Sequence, residues 1–581
     1  MEAVRLGARQ LDETAYDGVI APTRRRLDNA DDAVTTDPLI SCLMVTLPVP
    51  ERFERLKQSL AGYAAQTYAR RELVIVANGG TPEALAAIKA HVAGLGRDDI
   101  RIVEPPGSLT LGALRNISKA SARGEVVCQW DDDDLFHPER LQRQFGALTR
   151  SGAEGVCLEQ VMQFFAIERL IYCVNFRVGG EAVFAGSLMC WTRTPIVYPE
   201  SGERSRLGED TDVACQLVER GGLHALADMP HLYVYVCHGA NSWSDWHHRG
   251  VARYRGLSPG LLRRREAQLR QDLSVFDFGP GAVTVQGSNG PAFAIGGDGE
   301  TPYWERPLAT LPSEPMVSCL MVTLPVPGRL AYVKQAIAAY LAQTHEPREL
   351  VIVIDGRIAD PTTPQIRSHV AALGRDDIRI IEPPPGLTLG ALRNVSKANA
   401  RGDLICTWDD DDLHHPERLQ QQAAALVQFG AESTALQKVM QFFPRERKLY
   451  CVSWSPTSEN AMPGTLMCRA SAPIAYPEAG QRADRGEDME VMWQLQTRGR
   501  YHVITDQPHL FVYVSHGQNT FDDAHHRRIA DGFALPQALL WQREAVLREG
   551  LAAFDFGPGE VTLLASNGPA FTLGAPAAVD D

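Results

Sequence analysis

Residues 39–45, LISCLMV, form an almost unbroken apolar run closed by Thr46-Leu47-Pro48. An apolar run of this length, stopped by a proline, predicts a strand buried on both faces. The rhythm then changes. In RLKQSLAGYAAQT (55–67) apolar positions recur every three or four residues, which predicts a helix. ELVIVANG (72–79) returns to an unbroken run and predicts a second buried strand ending in a turn. IRIVEPP (100–106) predicts a third strand, stopped by two prolines. LGALRNISKASARG (111–124) reads as a helix with Gly124 as its expected C-cap, and EVVCQW (125–130) as a fourth strand. Strand, helix, strand with continuous apolar strands predicts an α/β fold: a parallel sheet covered on both faces. Such sheets bind ligands beyond the carboxyl ends of their strands, where Asn78, Pro105 and Asp131 fall.

The same pattern occurs twice. SCLMVTLPVP begins at Ser41 and again at Ser318, an offset of 277. The acidic word WDDDDL places Asp131 and Asp409 at an offset of 278, so one residue is gained ahead of Gly374, in a stretch that reads as loop and helix. The register then holds through Phe276-Asp277-Phe278-Gly279 and Phe554-Asp555-Phe556-Gly557. A period this long marks a duplicated domain, not a solenoid. The expected copies span 38–295 and 315–575. Residues 1–37 are an unmatched polar extension, 296–314 a Gly- and Pro-rich linker, and 576–581 a tail.

Composition narrows the function. The 581 residues are 44% hydrophobic and 22% charged, ordinary for globular proteins. Asp plus Glu number 71 against 57 Lys plus Arg, a formal charge of −14. That balance lacks the basic footprint of a nucleic-acid binder. RLGARQLDETAYDG near the start lacks the apolar core of a signal peptide, and no apolar run is long enough to span a membrane. Peripheral contact through an amphipathic helix stays open. Most of the 11 cysteines sit in apolar words and none makes a CxxC pair, so buried reduced thiols in a cytoplasmic setting are the expectation.

Four adjacent carboxylates directly after a buried strand need a reason to exist. Clustered oxygen ligands at a strand end suit a hard divalent cation, whose shell a substrate phosphate completes. The bland alternative is an acidic helix N-terminus, since the following HPERLQ opens a helical stretch; Asp134 is its candidate N-cap. Recurrence of the whole word with its flanking strand and tryptophan favours the functional reading.

The combination CLMVTLP, QTY, ELVIVANG, LGALRNISKASARG and WDDDDLFHPERL resembles a family 2 glycosyltransferase, and the second copy resembles it equally. The resemblance implies two tandem GT-A domains, α/β and Rossmann-like with a mostly parallel central sheet. The family's DxD pair maps onto Asp131 and Asp133, and onto Asp409 and Asp411. By resemblance the first aspartate of each pair faces the donor, with Asp132 and Asp410 grouped beside it. The second, Asp133 or Asp411, ligates Mn²⁺ or Mg²⁺ together with His238 or His516. The acidic residue that reads the base in this family is Asp355 in the second copy but Asn78 in the first, a departure. Leu47 and Leu324 after the first strand, and Arg115 and Arg393 on the helix before DxD, join the expected donor site. Arg115-Asn116 and Arg393-Asn394 line that pocket or make helix-surface contacts.

The family's Glu-Asp motif maps onto Glu209-Asp210 and Glu487-Asp488, with Asp210 and Asp488 as bases and Glu209 and Glu487 as acceptor candidates. Helix capping is the alternative. Trp243 and Phe521 stack on a sugar or simply pack, as does Trp246. His247-His248 and His525-His526 are expected on a loop near the site. The resemblance implies an inverting transfer of sugar from a nucleotide-sugar donor, a UDP-sugar by expectation, to a hydroxyl on a glycan, lipid-linked or protein acceptor. One catalytic copy with one saccharide-binding copy is the main alternative. A metal-dependent nucleotidyltransferase is more remote, because TLPVPERF has no Gly-rich phosphate loop.

Overall fold

The computed structural model describes residues 37–177, 182–297, 301–357, 361–455, 460–517 and 519–574. The N-terminal extension up to residue 36 and the tail lie outside the described residues. The chain divides into two compact units between Pro302 and Tyr303.

In the first unit, β1 (Ile40–Thr46), β2 (Arg71–Ala77), β3 (Ile100–Val103) and β4 (Val126–Gln129) are the four strands expected from the apolar runs. Helices α1 (Pro50–Ala64), α2 (Pro82–Gly94) and α3 (Leu111–Ala120) connect them. Beyond them come β5 (Leu135–Phe136), α4 (Arg140–Ser151), β6 (Gly155–Leu158), β7 (Gln160–Phe165), β8 (Leu170–Asn175) and β9 (Phe184–Trp191). Next are α5 (Glu209–Glu219), β10 (Leu223–Leu226), β11 (Tyr233–Cys237) and α6 (Asp245–Arg255). Helices α7 (Pro259–Arg264) and α8 (Glu266–Leu273) precede the hairpin β12 (Val283–Gly287) and β13 (Gly290–Ile295).

The central sheet runs β10-β6-β9-β4-β1-β2-β3. Its neighbours are parallel except β9, which is antiparallel to both β4 and β6. Short apolar strands buried on both faces require this burial, and helices on either side supply it. A second sheet, β13-β12-β8-β7-β11-β5, is added beside it. The second unit repeats both sheets strand for strand. The protein is therefore mixed α/β with two mostly parallel central sheets.

Three local expectations change. Gly124 does not cap α3; the helix ends at Ala120 with Ser121 as cap. Gly124 instead presses against β1, where a Cβ would stand 2.4 Å from the Leu39 carbonyl oxygen. Asp134 is no helix N-cap, because β5 intervenes and α4 starts behind Glu139. Part of the expected linker packs on the second unit. Arg498 lies 3.4 Å over the Tyr303 ring, and Arg500 donates to the Trp304 carbonyl at 2.7 Å. All 11 cysteines are free thiols, ten of them buried.

Candidate active site

Trp130, the last residue before the acidic word, is fully buried and meets the Tyr63 ring edge-on at 6.0 Å. Its indole N–H donates to Ser59 Oγ, and that hydroxyl donates to the Asp131 carbonyl at 2.8 Å. This anchor fixes where the strand stops. The four carboxylates then fan out to four sets of partners, which is how the structure tolerates them in a row.

Asp131 accepts from Arg115 Nη2 at 2.9 Å and from the Tyr233 hydroxyl at 3.0 Å. Asp132 is buried, accepting from the Thr46 hydroxyl at 2.6 Å and from Arg52 at 2.5 Å. Asp133 faces Arg52 Nη2 at 3.0 Å and His238 Nε2 at 3.1 Å. Asp134, also buried, accepts from the Tyr233 hydroxyl at 2.6 Å and from the Val236 N–H at 2.8 Å. Burial and the neighbouring Asp133 push Asp132 and Asp134 upward. Asp133 is held below the ordinary carboxylate range: burial opposes this, but the His238 hydrogen bond and Arg52 outweigh it. In the second unit, Asp409 meets Arg393 at 3.1 Å, Asp410 meets Thr323 and Arg329 at 2.5 Å each, and Asp411 meets His516 at 2.9 Å. Asp412 accepts from the Val514 N–H at 2.9 Å.

Arg115, on α3, joins the acidic word to the Glu-Asp motif. Its Nη2 serves Asp131 while its Nε donates to Glu209 at 2.7 Å. Arg393 repeats this with Asp409 and Glu487 at 3.1 and 2.7 Å. Asp210 and Asp488 stand in the first helical turn beside those glutamates, and each is pushed up to about 7 by burial and then by the adjacent glutamate. Each carboxylate also accepts the next residue's N–H at 2.8 Å. A carboxyl group poised near neutrality beside a metal-type carboxylate cluster is suited to general-base work.

The other expected residues have these partners. Glu209 and Glu487, expected to meet an acceptor, are buried and engaged by the arginine bridge. Asp132 and Asp410, grouped with the donor site, are only 2% exposed and bound to threonine and arginine. The Asn78 amide donates to the Pro105 and Gly107 carbonyls, at 3.1 and 2.8 Å, and accepts from the Leu109 N–H at 3.3 Å. Asp355 is paired with Arg357 at 2.7 Å. Leu47 is exposed and sits against Gly79; Leu324 is half-buried. Asn116 turns from the site to bind the Tyr198 backbone. Trp243 stacks on His247 at 4.5 Å and lies next to Gly208, just before the Glu-Asp motif. Phe521 stacks on His525 at 4.4 Å, and the Arg485 guanidinium lies over the Phe521 ring, 4.2 Å from its centroid. Trp246 is buried and packs. His247 and His248 are on the first turn of α6, not on a loop, and His248 is buried, which lowers it to about 3.

Sequence reasoning missed Arg52, Arg329, Thr46, Thr323 and Tyr233. The first four recur at the fixed offset of 277, so the repeat itself held the signal. Tyr233 carried none, since Phe511 replaces it in the second unit. Among the described residues no group of three or more His, Cys, Asp or Glu is assembled to hold a metal, and no helix is long and apolar enough to cross a membrane.

The sequence profile of Glycosyl transferase family 2 matches residues 44–171 and 321–456. EpsE of Bacillus subtilis (strain 168), named "Putative glycosyltransferase EpsE", is 32% identical over 196 residues, covering 32% of this chain and 69% of EpsE. The uncharacterized glycosyltransferase MJ1057 of Methanocaldococcus jannaschii is 32% identical over 111 residues, or 19% of this chain and 36% of MJ1057. Among solved structures, Staphylococcus aureus TarS 1–349 in complex with UDP-GlcNAc is 14% identical, covers 40% of this chain and 66% of that one, and gives a TM-score of 0.28. The mannosyltransferase PcManGT of Pyrobaculum calidifontis in complex with GDP-Man and Mn²⁺ is 18% identical, covers 44% and 68%, and gives a TM-score of 0.29.

Proposed function

Because the chain belongs to glycosyltransferase family 2, we propose that each half transfers a sugar from a nucleotide-sugar donor to a hydroxyl acceptor by a single inverting displacement. The observation that carries this is the Asp131–Arg115–Glu209 bridge beside Asp210, repeated as Asp409–Arg393–Glu487 beside Asp488. It brings a carboxylate cluster and an aspartate raised to about 7 to the same strand end in both halves, which supports the reading.

Asp210 or Asp488 accepts the acceptor hydroxyl's proton as its oxygen attacks the anomeric carbon. The bond from that carbon to the donor's phosphate oxygen breaks, and its electron pair leaves with the nucleoside diphosphate. One displacement with one base inverts the anomeric centre. Arg115 and Arg393 hold the neighbouring carboxylates so that the base stays near neutrality.

A divalent cation fits the facing carboxylate and imidazole beside the acidic word. Asp133 Oδ2 and His238 Nε2 come from separate strand ends and face each other at 3.1 Å, and Asp411 and His516 do so at 2.9 Å. A carboxylate with a neutral imidazole suits Mn²⁺. Asp133 and His238, and Asp411 and His516 in the second unit, would hold the ion and leave it open to a donor's diphosphate. Such an ion supplies positive charge to the leaving diphosphate.

The test is a screen of UDP-, GDP- and other nucleotide sugars with Mn²⁺, run on the full chain and on Asp210→Asn, Asp488→Asn and the double variant. Each single change should abolish one site's transfer, and chelator should abolish both. Full transfer by the double variant, or undiminished turnover in chelator, refutes this reading.

A further inference from the structure

In each unit, one arginine occupies ground that a cation would share. Arg52 sits on the first turn of α1, and Arg329 opens the matching helix of the second unit, Arg329–Leu341. Arg52 grips buried Asp132 through Nε and Nη2, at 3.2 and 2.5 Å, and the same Nη2 reaches Asp133 Oδ2 at 3.0 Å. That oxygen is the one His238 Nε2 faces. Arg329 repeats the arrangement with Asp410 at 2.9 and 2.5 Å and with Asp411 Oδ2 at 3.0 Å, the oxygen facing His516. The duplicated domains differ at many positions, yet this three-way meeting of guanidinium, carboxylate and imidazole is kept within 0.2 Å.

The geometry points to Arg52 and Arg329 as resident counter-cations that compete with the divalent ion for Asp133 and Asp411 until a donor's diphosphate draws them away. This rests on the reading of Asp133–His238 and Asp411–His516 as the ligand pairs. The physical argument has two parts. The grip on Asp132 is bidentate and buried, so the arginine stays anchored. Its contact with Asp133 is single and its side chain is 28% exposed, so that contact can be exchanged for a phosphate oxygen arriving from the cleft. A unit positive charge at this distance opposes a divalent ion strongly. Neutralising it with the diphosphate removes the opposition. Metal and nucleotide then bind in mutual support, and the empty site does not hold a free cation tightly. Arg52 and Arg329 are positioning residues in this scheme.

The experiment measures Mn²⁺ binding to the full chain by the electron paramagnetic resonance signal of free Mn²⁺, with and without UDP or GDP. Three proteins are compared: wild type, Arg52→Gln/Arg329→Gln and Arg52→Lys/Arg329→Lys. The glutamine variant keeps a donor for buried Asp132 but loses the charge. It should bind Mn²⁺ alone about tenfold more tightly than wild type, and nucleotide should tighten it less. The lysine variant keeps the charge and should stay close to wild type in both respects. Two results overturn the inference: a natively folded glutamine variant that binds Mn²⁺ no better than wild type, or a lysine variant that gains affinity without nucleotide. If glutamine prevents folding, the lysine result alone decides. A wild type that binds no Mn²⁺ with or without nucleotide instead removes the ligand assignment itself.

Discussion

Asp210→Asn should make the first unit more stable at pH 8 while stopping its chemistry. Asp210 is pushed from 3.8 to about 7, chiefly by burial and by Glu209 next to it. The sign follows from linkage. A carboxyl group whose folded value is raised contributes stability that is fully present below its unfolded value near 4 and is lost as pH rises through about 7. At pH 8 the folded chain must carry an ionised Asp210 against Glu209 and Asp131. Raising the group from 3.8 to about 7 sets a ceiling of about 4 kcal/mol. Asp210 is only partly buried by surface accessibility, and solvent screening brings the expected cost to about 2–3 kcal/mol. Asparagine does not carry this cost. At pH 5 the folded aspartic acid is already neutral, and the advantage shrinks to about 1 kcal/mol. The measurement is urea unfolding of the full chain by circular dichroism in chelator at both pH values, with Asp488→Asn reporting on the second unit. Comparing two pH values cancels any constant effect of the substitution. A stability difference that does not grow between pH 5 and pH 8 would show that Asp210 is not held near neutrality.

Arg115→Gln should act in the opposite direction. It strands buried Glu209 and its neighbour Asp131 without their counter-charge, costing about 3–5 kcal/mol in urea unfolding and moving the acid limb of the pH–rate profile upward. Tyr233→Phe copies what Phe511 already does in the second unit, so the unit should fold; loss of the hydroxyl shared by Asp131 and Asp134 should cost about 1–3 kcal/mol. Gly112→Ala and Gly390→Ala should each depress thermal stability sharply, because the added Cβ would lie 1.9 Å from the Pro199 or Pro477 carbonyl oxygen. Gly94→Ala, with nothing within 4 Å, is the matching control and should be neutral or slightly stabilising.

The strands, the duplication and the place of the acidic word are one-dimensional properties. β1 and β2 follow from unbroken apolar runs, because a chain segment with no polar face can only be buried on both sides. The repeat needs nothing beyond comparison of the chain with itself. From these the α/β class and the strand-end location of Asp131 and Asp409 were readable; Asp210 and Asp488 were singled out by the family resemblance, supported by their constant offset of 79 from Asp131 and Asp409.

What each carboxylate does was not readable. Within Asp131-Asp132-Asp133-Asp134 the side chains look alike, yet their partners lie far away: Arg115 at 16 residues, Arg52 at 80 and 81, His238 at 105 and Val236 at 102. Only packing α1, α3 and β11 around the end of β4 decides which carboxylate is buried on an arginine, which faces a histidine and which braces a tyrosine. The same holds for Glu209, which looks like half of an acceptor site in the sequence and becomes a ligand for Arg115 in the fold. Periodicity fixes the direction of side chains within a strand or helix. In the turns after strands, where this chemistry gathers, direction is set by whichever distant charge the fold brings within 3 Å.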